Sequence, residues 1–134
     1  MKASILRISL AVAAALLSGC GYVHDEQLTG PYRLIAVDTL DQMSLSYGLS
    51  DGNVIERIGE TVFAVGWNER YIVAKQHPNN DLSITAFYYL DRSRDSTYAD
   101  PSASVTGPLS EAEFSTRQAE LGLPEFSRTI KSLQ

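Results

Sequence analysis

The first clear pattern along the chain is an alternation. Met43, Leu45, Tyr47 and Leu49 alternate with Ser44, Ser46 and Gly48, the period of a strand with one face buried and one in water. Just before it, Tyr32 to Thr39 is apolar and β-branched and reads as a buried strand. Asp51-Gly52 follows, a dipeptide suited to a tight hairpin because glycine accepts positive φ. Val54 to Ile58 then reads as the returning strand. Glu60 to Val65 and Arg70 to Gln76 predict two more strands around a second hairpin, Gly66-Trp67-Asn68-Glu69. After a loop at Pro78-Asn79-Asn80-Asp81, Leu82 to Leu90 reads as another strong strand. Its large side chains fall on both faces, Leu82, Ile84, Ala86, Tyr88 and Leu90 against Phe87 and Tyr89. That implies a central strand, or one covered by a helix.

Residues 91–107 are polar and aperiodic, and read as loop. The period then changes. Leu109 to Phe114 holds a capping box, Ser110 with Glu113, and a hydrophobic staple, Leu109 with Phe114. A helix is predicted from Glu111 to Leu121, closed by Gly122 in the left-handed conformation. Pro124 to Leu133 predicts a second, weaker helix with Phe126, Ile130 and Leu133 on one side. The links between strands are too short for crossover helices, which rules against a parallel α/β sheet. The fold class is therefore mainly β (α+β). It is read as an antiparallel meander of about six strands over residues 32–107, with one or two C-terminal helices over 108–134 packed on it.

Ahead of this domain stands a different pattern. Lys2 and Arg7 precede an apolar run from Ile8 to Leu17, broken only by Ser9, and the small residues Ser18 and Gly19 lead to Cys20. The run is shorter than the ~20 helical residues needed to span a bilayer core, and its three parts are those of an export signal. Leu17-Ser18-Gly19-Cys20 resembles the lipobox of bacterial lipoproteins. The resemblance implies that residues 1–19 are a signal peptide and that Cys20 is lipidated and becomes the first mature residue. It also implies a diacylglycerol on the thiol, and two or more acyl chains hold a protein to a bilayer effectively permanently. In that family an Asp after the cysteine retains the protein at the inner membrane. Gly21 in that place favours the outer membrane, facing the periplasm. Residues 20–31, polar around His24-Asp25-Glu26-Gln27, read as a lipidated tether. Residues 32–134 read as one domain, and no family resemblance is read for it.

Removing the leader changes the charge. Without Lys2 and Arg7, nine basic residues face sixteen acidic ones, a net charge of −7. Phosphate backbones repel such a domain, so nucleic-acid binding is not expected, and a charged partner would be a basic protein. Cys20 is the one cysteine in the chain. With it lipidated, disulfides and cysteine-based metal or redox sites are excluded, and stability must come from packing.

Candidate chemistry is sparse. Gly48-Leu49-Ser50-Asp51-Gly52 spells G-x-S-x-G, but a nucleophile elbow needs a helix after the serine, and Asn53 to Arg57 is strand-like. The two histidines are His24, in the tether, and His77, before Pro78. Asp91-Arg92-Ser93-Arg94-Asp95 has the spacing of a calcium loop without its glycine at position six or glutamate at position twelve. No catalytic residue, metal or cofactor is expected. Trp67, at a hairpin tip, is the candidate partner-binding residue, since tryptophan is enriched in binding hot spots. The function read from these features is that of a membrane-anchored envelope lipoprotein. Its small non-catalytic β-rich domain has a binding or structural role in the periplasm. The alternative is an inhibitor or immunity lipoprotein that neutralises a basic cell-wall hydrolase or toxin.

Overall fold

The structure is a computed structural model and describes residues 21–134. The leader and Cys20 lie outside the described residues. The fold is mainly β and antiparallel, in two sheets rather than one. The first sheet is β1 (His24–Thr29), β2 (Tyr32–Ala36), β3 (Ser44–Gly48) and β4 (Val54–Ile58), in that order. The second holds β5 (Val62–Trp67), β6 (Tyr71–Gln76), β7 (Ala86–Asp91), β8 (Val105–Leu109) and β9 (Arg128–Thr129), in the order β8-β7-β6-β5-β9. Two helices follow β7 and β8, α1 (Pro101–Ser104) and α2 (Glu111–Leu121).

The sheets pack face to face. Leu34, Ala36, Leu45 and Ile58 of the first, with Met43 just ahead of β3, meet Val65, Ile72, Ala74 and Leu90 of the second in one buried core. The outer face of the second sheet is also buried, because Phe114 and Leu123 at α2 cover Tyr71, Val73 and Phe87. This accounts for the large residues on both faces of β7, which is both central and covered. The helix forms as its capping box predicts: the Ser110 hydroxyl accepts from the Glu113 amide at 3.1 Å, and the Ser110 amide donates to the Glu113 carboxylate at 3.2 Å. Gly122, at φ 66°, ends it in the left-handed conformation.

Four segments differ from the sequence reading. Residues 24–29, read as tether, are strand β1. Its charged side chains are accommodated because it is an edge strand, with Asp25 on Arg33 at 2.6 Å and Glu26 on Arg128 at 3.0 Å. Residues 82–85, read as the start of a strand, form a turn in which Asp81 accepts from both the amide and the hydroxyl of Ser83. The turn chemistry of Asn79 and Asn80, both at positive φ, thus runs on past Asp81. Within 91–107, read as loop, stand α1 and the first residues of β8. The second C-terminal helix is replaced by an extended segment, β9 and a single 3-10 turn at Lys131–Leu133. That segment adds to the edge of β5, with the Ser127 amide on the Val65 carbonyl and the Ile130 amide on that of Phe63. It lies so close to Gly66 that any Cβ there would strike the Glu125 backbone. A helix would place Phe126, Ile130 and Leu133 on one side; the extended chain sends Phe126 to the outer layer as well.

The Glu26–Arg128 pair bridges the β1 edge of one sheet and the β9 edge of the other. The Arg128 hydrogen bonds hold the Glu26 carboxyl below its ordinary value of 4.5, with His24 adding to the effect against partial burial. A depressed carboxyl contributes stability that is present above its unfolded pKa and is lost as pH falls through the folded one. Glu26→Gln should therefore lower stability at pH 7 by up to about 1 kcal/mol, the range for a partly exposed pair. Urea denaturation of the two proteins should converge at acid pH. A difference that persists at pH 2 would show that the pair acts through packing instead.

Candidate functional site

The strand registers give the sandwich two distinct ends. At one end His24 lies opposite Ala36, and Leu45 opposite Ile58. The Val62 amide donates to the Met43 carbonyl there, joining the start of β5 to this end. At the other end Thr29 pairs with Tyr32, Gly48 with Val54, Trp67 with Ile72 and Tyr71 with Asp91. The Arg92 guanidinium lies over the Tyr32 ring at 5.6 Å, tying both sheets together at this end. The turn at Gly30-Pro31, the hairpin 49–53, the turn 68–70 and the segment 92–100 all gather there. We call it the distal end, since Gly21 enters at the opposite, near end.

A buried ion pair holds the distal end together. The pairing of β3 with β4 slips by one residue between Leu45 and Ser46, leaving Arg57 as the extra residue of a β-bulge. A bulge re-aims its side chain, and here it turns Arg57 inward beside Ile58. The side chains of Arg57 and Asp95 are both fully buried. Arg57 Nε donates to both Asp95 oxygens, at 3.1 and 3.0 Å, and Nη2 to the Ser96 carbonyl at 2.9 Å. The guanidinium sits over the Tyr47 ring at 5.0 Å, while Tyr32 donates its hydroxyl to Asp95 at 2.8 Å. Taking two charges out of water costs several kcal/mol per ion, which the ion pair and the hydrogen bonds to Nε and Nη2 offset in part. Arg57 Nη1 is buried with no protein partner. Burial raises the Tyr32 pKa, and so do the hydrogen bond to Asp95 and that group's charge.

Around this node the surface is recessed. A depression of about 460 Å³ is lined by Tyr47, Leu49, Ile55, Thr97 and Tyr98, the last 95% exposed. Across the hairpin a second, of about 340 Å³, is lined by Asp25, Arg33, Gly48 and Asn53. A third, about 200 Å³, has Arg70, Tyr71, Tyr89, Asp91 and Arg94 in its wall. Arg70 and Arg94 flank Asp91 at 3.1 and 3.9 Å. Burial alone would raise the Asp91 pKa, but the hydrogen bonds from Arg70 and Ser93 outweigh it and hold the carboxyl low. With Arg92 beside them, these residues make a locally basic corner on an acidic domain.

The residues singled out in the sequence do not converge. Ser50 lies on the distal hairpin between β3 and β4, with a strand rather than a helix after it. Both histidines are at the other end. His24 pairs with Glu26 at 3.0 Å, and His77 is buried, stacked on Phe63 at 4.2 Å. Of the calcium-like loop, Asp91 and Asp95 are bound to arginines. Among the described residues no group of three His, Cys, Asp or Glu is placed to hold a metal ion. Trp67 closes β5 near the distal end, half-buried, with its ring packed on the core. Sequence reasoning missed Arg57, Asp95, Tyr32 and the arginine corner; a charged residue next to Ile58 in a short strand was the available signal.

Tyr32→Phe removes the hydroxyl from Asp95 and should lower stability by about 1.5–3 kcal/mol, the scale for a hydrogen bond to a charged group. Because the folded phenol is raised above its ordinary value of 10, its contribution is intact below that pH and fades as pH rises beyond it. Wild type and variant should therefore approach each other in alkaline urea melts. A constant gap from pH 7 to 11 would contradict the role given to the hydroxyl.

No curated protein and no solved structure matches the chain. Residues 29–131, from the first turn through β9, match the family described as "Protein of unknown function (DUF3997)", and the chain belongs to that family.

Proposed function

We propose that this is a lipid-anchored envelope protein whose sandwich binds a protein partner at its distal end and carries out no chemistry. One observation carries the reading. Only Gly21, Tyr22 and Val23 separate Cys20 from β1, a spacer of about 10 Å at full extension. An anchor on Cys20 would hold the near end against the bilayer. It would turn the other end, about 20 Å farther along a six-residue strand, toward the aqueous space. That outward end bears the exposed Tyr98, the three arginines and the three depressions. Tyrosine and arginine are the residue types that dominate binding energy in protein interfaces.

The membrane is expected to be the outer one, with the domain in the periplasm, because Gly21 rather than Asp follows Cys20. A basic hydrolase or toxin as target rests on the net charge of −7. The exposed Arg70 and Arg94 make the distal end a better match for a partner with carboxylates and aromatic rings.

Cys20→Ser should abolish metabolic palmitate labelling and leave an uncleaved precursor. Labelling that persists would end the anchor reading. In cells, a photo-crosslinking residue at Tyr98 should trap a partner that the same residue at Ser132 does not. Equal capture from both positions would end the distal-end reading.

A further inference from the structure

The near end carries an unusual concentration of exposed apolar side chains. Among the described residues eight large hydrophobic side chains are exposed, and five of them, Tyr22, Val23, Val37, Leu82 and Ile84, come from segments at this end. Hydrogen bonds connect those segments. The Val23 amide donates to the Val37 carbonyl at 3.3 Å, and the Asp38 amide to the Gln42 side chain at 2.8 Å. The Thr61 hydroxyl donates to the Asp41 carbonyl, and the Thr61 amide to the His77 carbonyl at 2.9 Å. His77 Nδ1 in turn donates to the Ile84 carbonyl at 2.8 Å, which fixes the 81–85 turn to the same end. Leu82, 63% exposed, and Ile84, 50% exposed, are therefore held facing outward rather than left loose.

We infer that this end is a membrane-docking face, on which Tyr22, Val23, Val37, Leu82 and Ile84 seat in the interface of the bilayer that Cys20 enters. The inference rests on the lipid-anchor reading and deepens it from tethering to fixed orientation. The occupant follows from the length of chain before β1. Three residues leave the domain no room to stand clear of the headgroups, and apolar side chains enter an interface by about 5–10 Å. Charge selects the lipid. The connecting segments at this end carry Asp38, Asp41, Glu60 and Asp81, against Lys131 after β9. Anionic headgroups would repel it, so the docked surface is a zwitterionic one held by apolar contact.

The natural tryptophan supplies a control, because Trp67 lies at the opposite end. The lipidated full-length protein would be reconstituted into phosphatidylcholine vesicles with and without brominated acyl chains. Trp67 emission should be the same in both. Leu82→Trp, or Ile84→Trp should the first fold poorly, should lose most of its added emission in the brominated vesicles. An added emission that bromination leaves intact, in protein that floats with the vesicles, overturns docking while the anchor stands. That result together with a dimeric mass assigns the patch to a second copy and overturns docking equally. Protein that fails to float ends both readings.

Discussion

Arg57 and Asp95 are charges that water would hold better than protein, unless each satisfies the other. That requirement organises the distal end. The bulge in β4 turns Arg57 inward, and Asp95 must follow it from the segment beyond β7. With Asp95 come Ser96, whose carbonyl takes another arginine nitrogen, and Thr97 and Tyr98 at the rim of the depression that Tyr47 and Ile55 also line. Tyr32 and Tyr47, edge to face at 5.5 Å, close the node from the first sheet. A pair so placed contributes little net stability compared with apolar residues of the same shape. What it contributes is position: a chain segment without regular strand pairing is held on the core by a charge that has nowhere else to go.

The rest of the molecule can be read as two surfaces joined by a sandwich. Both faces of β6 and β7 are packed, and the chain has no disulfide to help. The Glu26–Arg128 pair ties the open edges of the sheets. At one end the surface is aromatic, arginine-rich and recessed; at the other it is apolar and sits three residues from the candidate lipid site. Among the described residues no helix is long and apolar enough to cross a membrane. The proposed attachment is by lipid and surface contact.

Much of the fold was legible in the sequence where a single period dominated. The alternation at Met43 to Leu49, Asp51-Gly52, and the Ser110–Glu113 box each specify a local structure that tertiary contacts then keep. The missed elements depend on distant partners. β1 reads as polar tether because its carboxylates are neutralised by Arg33 and by Arg128, about a hundred residues away. The 124–133 segment has helical spacing, yet the open edge of β5 and the bare backbone of Gly66 draw it into extended pairing. The candidate site was less legible still. Trp67 attracted notice by its type, although its ring lies on the core. Arg57 gave little signal, since its burial depends on a one-residue slip against β3 and on an aspartate 38 positions later.

The most direct test of this account is a double-mutant cycle on the buried pair, using Arg57→Met, Asp95→Leu and the double variant in urea denaturation. Each single change leaves one charge buried without its partner and should cost about 3–5 kcal/mol. The double variant should be more stable than either, giving a coupling of at least about 2 kcal/mol. Single losses that simply add in the double variant would contradict the claim that this pair holds the distal end in place.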